Sequence, residues 1–274
     1  MNICLISQNA SPGLTIFRKD FIRYLIDQGH QVYAFAIDYT VVSREIVSEF
    51  GAIPMDYSLN KSGLNIFADL NDTWLLSKQL KKIQPDIVFS FFIKPSIYGT
   101  LAAKLAKVPR RIAMLEGAGY MYTPSKNKLS FKKIILQYAH GLLISMGYAF
   151  ADKDLFLNPD DPVDLTKKSF INSKKFKVIG PIGLELSSYP YTEVVITKPI
   201  RFIFIARILA EKGIYEYLAA AQIVKLKYPD TEFVILGGLD SDNPSALSKE
   251  QLTLAISEGF VSYLGHVSNV SEWL

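Results

Sequence analysis

Apolar residues recur along this chain in two alternating patterns. Short runs dominated by apolar side chains occur at residues 2–7, 31–37, 53–56, 87–92, 111–115 and 155–158, and a further strand-like run, interrupted by two lysines, at 175–179. Between them, apolar positions recur at helical spacing up to residue 26 and then over 44–50, 66–83, 97–106 and 131–150. Continuous runs predict strands covered on both faces, as in a parallel sheet, and the periodic segments predict the helices that cover them. The punctuation agrees. A turn-forming loop at 8–13 precedes the first helix, Gly29 and His30 close it, and Gln84-Pro85-Asp86 stops the long helix at 66–83. Ser11 or Thr15 is the expected cap of the first helix, whose exposed side carries Arg18, Lys19 and Arg23. Asn158 is expected to end a strand, and Pro159-Asp160-Asp161 to form a turn.

A second series begins at Ile200: a strand, a helix to Tyr228, a strand at 232–236, a helix at 248–258, a strand at 261–264 and a helix starting near Val270. Repeated strand–helix–strand units predict an α/β fold of two doubly wound, Rossmann-like parallel-sheet domains facing across a cleft. The expected division is an N-terminal domain at 1–186, a linker at 187–199 containing Pro190 and Pro199, and a C-terminal domain at 200–274. With three strands, that second domain is expected to be incomplete.

The segment opening the second domain concentrates chemistry. The run at 200–205 reads as a strand buried on both faces, with Arg207 at its carboxyl end. Lys212 and Gly213 follow where the next helix begins, with Tyr217, Leu218 and Ala221 on one side of it and Glu216 on the other. Ligands of open α/β sheets bind beyond the carboxyl ends of strands. Two cations beside free helix-start amides make a receptacle for phosphate, and the alternative is a surface loop that happens to be basic.

Composition narrows the picture. The 274 residues are 49% hydrophobic and 20% charged, ordinary for a globular protein with a sizeable core. A net charge of +4 is too mild to point to nucleic acid. The single cysteine, Cys4, excludes an intramolecular disulfide framework and a cysteine-cluster metal site. The first strand-to-helix loop lacks the glycine fingerprint of a dinucleotide site, which argues against nicotinamide chemistry. The chain begins directly with a strand and shows no leader, so a cytoplasmic location is expected. The apolar stretch at 134–150, interrupted by Gln137, His140 and two glycines, falls short of the ~20 residues of a membrane span. Lys126, Lys128, Lys132 and Lys133, with Lys104, Lys107, Arg110 and Arg111, form a basic rim beside it. That rim suits peripheral binding to anionic lipid, or is an ordinary solvated face. The acidic pairs Asp152/Asp154 and Asp240/Asp242 are weak metal candidates, and His30, His140 and His266 lack ligand spacing. No metal or cofactor is expected.

Several ordered motifs coincide with one family. Phe204-Ile205-Ala206-Arg207, Lys212-Gly213, Tyr228-Pro229-Asp230, Leu236-Gly237 and Tyr263-Leu264-Gly265-His266-Val267 resemble the nucleotide-sugar domain of the family 4 retaining glycosyltransferases, which have the GT-B architecture. Phe17-Arg18, Lys94-Pro95-Ser96-Ile97-Tyr98-Gly99, Glu116-Gly117-Ala118-Gly119-Tyr120 and Asn158-Pro159-Asp160-Asp161 resemble the subgroup acting on polyprenyl-diphosphate-linked saccharides. The resemblance implies a donor site of Gly13, Arg207, Lys212, Gly213, Gly237, Gly265, His266 and Val267, with Arg207 and Lys212 on the diphosphate. It implies acceptor binding by Arg18, Lys94 and Tyr120, and a catalytic role for Glu116 where many members carry a histidine. Glu116 would hold an acceptor hydroxyl or stabilise positive charge at the anomeric carbon; a helix cap is the alternative for it, and a plain strand-to-helix turn for Gly237 and Gly265.

The implied partners are a UDP-hexose or UDP-N-acetylhexosamine, a polyprenyl-diphosphate-linked saccharide and the inner face of the plasma membrane, in surface polysaccharide assembly. Members also carry a Glu-x7-Glu element, which would fall after Leu274, so weak donor binding and poor turnover are expected of this chain. The alternatives are a sugar-nucleotide 2-epimerase of the same fold and a non-catalytic remnant that binds membrane or a partner.

Overall fold

The computed structural model describes residues 1–60, 65–117, 131–166, 175–183, 185, 186, 191, 193, 198–240, 243, 245–267 and 269–273. The chain divides into two compact units, Met1–Leu184 and Glu185–Leu274.

Unit 1 is built from β1 (Asn2–Ile6), α1 (Lys19–Asp27), β2 (Gln31–Ala36), α2 (Val41–Glu49), β3 (Ile53–Asp56), α3 (Ile66–Ile83), β4 (Ile87–Phe91), α4 (Ile93–Leu105), β5 (Arg110–Leu115), α5 (Phe131–Ala149), β6 (Lys153–Phe156), α6 (Asp160–Thr166) and β7 (Phe176–Val178). The strands form one parallel sheet in the order β3-β2-β1-β4-β5-β6-β7. The order reverses between β1 and β4, and crevices at such reversals are where doubly wound sheets bind ligands.

Because successive strand side chains face opposite ways, β1 feeds two cores. Ile3 and Leu5 join Ile22, Leu25 and Val47 from α1 and α2. Cys4 and Ile6 join Leu76, Leu80, Ile97, Tyr98, Ile144 and Tyr148 from α3, α4 and α5. Each fully buried leucine or isoleucine contributes roughly 1.5–3 kcal/mol, which is why continuous apolar runs are retained here. Gly147 lets α5 approach α4, since a Cβ there would lie 2.5 Å from the Ile97 Cα. The apolar character of α5 thus serves core packing, and among the described residues no helix is long and apolar enough to cross a membrane.

Three expectations in unit 1 are corrected. Residues 11–18 form hydrogen-bonded turns, α1 starts only at Lys19, and its cap, Arg18, makes no side-chain capping bond. Neither Ser11 nor Thr15 caps it; their hydroxyls bond each other at 3.1 Å. Arg18 is buried rather than exposed on the helix surface. Past β6, the expected turn is the start of α6, because the Asn158 side chain accepts from the Asp160 and Asp161 amides at 2.9 and 2.8 Å.

Unit 2 contains β8 (Arg201–Ile205), a 3-10 turn (Ala210–Lys212), α7 (Ile214–Lys227), β9 (Glu232–Leu236), α8 (Lys249–Ser257), β10 (Ser262–Gly265) and a second 3-10 turn (Val270–Glu272). Its sheet is parallel in the order β10-β9-β8. Phe204, Ile208, Ile214, Ala221, Phe233, Ile235, Leu247 and Leu252 make its core. Against expectation β8 is not buried on both faces. It is an edge strand among the described residues, and Arg201, Phe202 and Ile205 remain exposed.

Candidate functional site

Unit 2 gathers its candidate residues beyond the carboxyl ends of three strands. The loop leaving β8 is fixed by backbone bonds: the Ala206 amide donates to the Leu236 carbonyl at 3.1 Å and the Ile208 amide to the Gly238 carbonyl at 3.2 Å. Further along, the Ala210 amide donates to the Ser245 carbonyl at 2.8 Å, and the Leu247 amide to the Ile208 carbonyl at 3.1 Å. Gly237 is the tightest point. Its φ is +152°, and a side chain would collide with the Ala206 carbonyl oxygen. Its amide donates to the Gly265 carbonyl at 2.7 Å, and the Tyr263 hydroxyl donates to its carbonyl at 3.0 Å. β8, β9 and β10 are thereby tied together at one end.

These ties frame a cavity of about 250 Å3 lined by Ile205–Arg207, Leu236–Gly238, His266, Val267 and Val270. Arg207, Gly237, His266 and Val267, assigned separately from sequence, therefore share one pocket. Gly265 adjoins it through its carbonyl bond to Gly237. Lys212 and Gly213 stand apart from this lining, where α7 begins. Gly213 caps both the 3-10 turn and α7 with φ +82°. The first-turn amides of α7 have no intrahelical acceptor and carry the positive end of the helix dipole. Arg207 is well exposed, and its guanidinium donates to Asp240 at 2.8 Å. Lys212 is exposed with no ion pair among the described residues.

Unit 1 pairs two of its candidates, Arg18 and Glu116, beside the end of β4. Gly13 is buried in a turn in which its amide donates to the Asn9 side chain at 3.1 Å, and a Cβ would collide with Asn9. Arg18 forms an ion pair with Glu116, both side chains nearly inaccessible at 5% and 7% exposure. The guanidinium also lies 4.2 Å from the centre of the Phe91 ring. Burial lowers the Arg18 pKa to about 10, which still leaves it charged at neutral pH. Two residues given different roles from sequence are therefore direct partners. Glu116 follows β5 directly and caps no described helix.

Lys94, in the first turn of α4, bonds both carboxylate oxygens of Asp69 at 2.8 and 3.0 Å. Asp69 is fully buried and was missed by the sequence reading. The signal was available: it shares the buried stripe of α3 with Thr73, Leu76 and Leu80. Phe92 was missed without any such signal. This non-glycine residue joins β4 to α4 at φ +68°, ψ 169°, a region that is nearly glycine-only.

Other candidates fare differently. Tyr120, Lys126, Lys128 and Asp242 lie outside the described residues, as do the side chains of Lys132 and Lys133. Arg111 is no part of a free basic rim. It donates to the Phe150 and Val108 carbonyls at 2.6 and 2.8 Å and to Asp152 at 2.8 Å, so it locks strand ends together. Asp152 is thus engaged, while Asp154 is fully buried. Among the described residues no group of three or more His, Cys, Asp or Glu side chains is arranged to hold a metal ion.

Comparison with known proteins adds sequence and fold relationships. A family model described as glycosyl transferase 4-like matches residues 2–146. The chain is 30% identical to N,N'-diacetylbacillosaminyl-diphospho-undecaprenol alpha-1,3-N-acetylgalactosaminyltransferase of Campylobacter jejuni, over 97% of this chain and 70% of that protein. Among solved structures, a glycosyltransferase from Rickettsia africae is similar at a TM-score of 0.67 and 17% identity, covering 99% of this chain and 69% of that one. Anabaena HepE, solved in complex with UDP and glucose, is similar at a TM-score of 0.66 and 14% identity, covering 100% of this chain and 71% of that one. At these identities the structural matches speak to the fold, which is that of GT-B glycosyltransferases.

Proposed function

This chain belongs to the glycosyl transferase 4-like family, and from that premise we propose that it is a retaining hexosyltransferase using a UDP-hexose or UDP-N-acetylhexosamine. The acceptor is a saccharide carried on a polyprenyl diphosphate, and the product enters surface polysaccharide assembly. The reaction takes place in the cytoplasm, at the inner face of the plasma membrane where such an acceptor resides.

The observation that carries this reading is the pocket uniting Arg207, Gly237, His266 and Val267 beyond the strand ends of unit 2. In transfer, the acceptor hydroxyl oxygen bonds to the anomeric carbon while the bond from that carbon to the diphosphate breaks. The departing nucleoside diphosphate keeps the bonding pair, and negative charge grows on it. Arg207, Lys212 and the amides at the start of α7, which Gly213 opens, hold that charge with fixed cations and dipoles, in place of a metal ion. We assign Gly237, Gly265, His266 and Val267 to the nucleobase end, and the tightly packed turn that carries Gly13 to the donor phosphates. We assign Glu116 to the acceptor hydroxyl or to the positive charge developing at the anomeric carbon, and Arg18, Lys94 and Tyr120 to the acceptor side; the buried Arg18–Glu116 pair and the Lys94–Asp69 pair must then open or be shared when an acceptor binds. The Asp240 contact of Arg207, at 2.8 Å, must be shared or exchanged when a diphosphate binds.

The 30% identity to a transferase favours this reading over a 2-epimerase. Titration calorimetry with UDP, UDP-sugars and ADP-sugars, together with a transfer assay on polyprenyl-diphosphate-linked saccharides, tests it. Selective UDP-sugar binding that weakens in Arg207→Ala is expected. Interconversion of free UDP-sugars without transfer to any acceptor would sink it.

A further inference from the structure

The outer face of α3 is chemically ordered along its length. Phe67, Leu70, Trp74, Lys78 and Lys81 follow one another at spacings of three and four residues, and Lys82 lies beside them. All six are exposed, Phe67 at 88% and Trp74 at 51%, while Thr73, Leu76 and Leu80 on the opposite side enter the core. The N-terminal half of this face is thus apolar and aromatic, and the C-terminal half is basic. Lys78 reaches back over the Trp74 ring at 3.4 Å and joins the two halves. The helix has two acidic residues among its described positions: Asp69 is buried and paired with Lys94, and Asp72 is half-buried on the flank. Beside the face runs a groove of about 860 Å3 with Lys78 and Lys82 in its lining.

We propose that this face of α3 is the surface by which the protein docks on an anionic lipid bilayer. The inference rests on the membrane-linked acceptor proposed above and names the element that meets the membrane. A leucine and two aromatic rings standing in water gain by entering the headgroup and acyl boundary, and the lysines extend to the lipid phosphates. Among the described residues the face itself carries no exposed acid, and the exposed acid of the adjoining groove, Asp56, is paired with Arg44 at 2.6 Å, so an anionic bilayer fits better than an acidic-rimmed protein groove. The exposed stripe of α5, Tyr138, Leu142 and Met146, has no described basic residue in line with it and is the internal comparison.

The test uses the full chain carrying Trp273→Phe, which leaves Trp74 as the one tryptophan of the two in the sequence. Vesicles of phosphatidylglycerol and phosphatidylethanolamine are expected to shift its fluorescence to the blue and, with brominated acyl chains, to quench it; pure phosphatidylcholine vesicles are not. Replacing Lys78, Lys81 and Lys82 together by glutamine is expected to lower partitioning by roughly 100-fold. Phe67→Ser with Leu70→Ser is expected to lower it by about tenfold or more. Leu142→Ser with Met146→Ser is expected to leave it unchanged. Vesicle binding lost only in the α5 variant would overturn the inference while leaving a membrane-associated transferase intact. Concentration-dependent dimerisation abolished by the α3 variants, without vesicle binding, would overturn it in favour of a second copy of the chain. Transfer to a water-soluble acceptor analogue, measured in parallel, reports on the transferase reading alone.

Discussion

Asp154, on β6, has no solvent exposure, and neither carboxylate oxygen accepts a hydrogen bond from the described residues. Burial raises its pKa from 3.8 to about 7, with Lys175 pulling it down and Asp152 pushing it up. The Tyr148 hydroxyl, also buried without a hydrogen bond, is itself pushed upward by burial and by the Asp154 charge. The unfolded chain releases the Asp154 proton near pH 4, whereas the folded chain keeps it until about pH 7. Between those values the folded state binds the extra proton, so stability falls as pH rises. A displacement of about three units corresponds to a penalty of roughly 4 kcal/mol, imposed in full above pH 7 and absent below pH 4. Asp154→Asn keeps the shape and removes the charge. We expect it to stabilise unit 1 by about 2–4 kcal/mol at pH 8, the asparagine amide still needing a partner, and by much less at pH 5. Urea unfolding of parent and variant across that range measures the difference, in which other titrating groups largely cancel. A variant-minus-parent stability that is flat with pH, or that grows toward acid, would refute the reasoning.

Arg207→Ala is expected to lower transfer by about 100- to 1000-fold with an unchanged melting temperature, because the side chain is exposed and its role is to meet developing charge; steady-state kinetics and calorimetric melting check both halves. Gly237→Ala forces a Cβ against the Ala206 carbonyl at a positive φ, so unit 2 should lose about 2 kcal/mol or more and the variant should melt earlier by differential scanning calorimetry. Arg18→Met alone leaves Glu116 buried without its cation and should cost about 3–5 kcal/mol, whereas Arg18→Met with Glu116→Gln should recover much of it. Additive losses in that double-mutant cycle, read by urea denaturation, would show that the two side chains act independently.

Much of the architecture was legible in the residues. Every described strand falls on or beside a segment read as a strand, and the longest buried runs belong to strands such as β1, β2 and β9, because strands covered on both faces cannot hold polar side chains without cost. Helix starts were less legible. The start of α4 was expected at Ile97, yet the helix begins at Ile93, because Phe92 adopts a strained conformation that turns β4 directly into the helix. Pro95 is no obstacle there, since a first-turn proline lacks only an amide that would go unpaired. The exposure of β8 was not legible either. Its apolar run reads as a central strand, but whether a strand lies at an edge depends on neighbours that local sequence does not name.

The same division runs through the candidate sites. By itself the sequence determined the alternation of strands and helices, the loops that carry Arg207, Lys212, Gly237 and His266, and the family to which the chain belongs. Those are local properties: periodicity, turn chemistry and short spacings are carried by residues a few positions apart. Only the tertiary structure decided that Arg207 and His266 line one pocket, that Arg18 is paired with Glu116, that Lys94 is held by Asp69, and that Asp154 is buried without a hydrogen bond. These depend on strand order and helix packing, which bring together residues dozens of positions apart. Charge pairing and desolvation act through space, so they take their values only once the chain has folded.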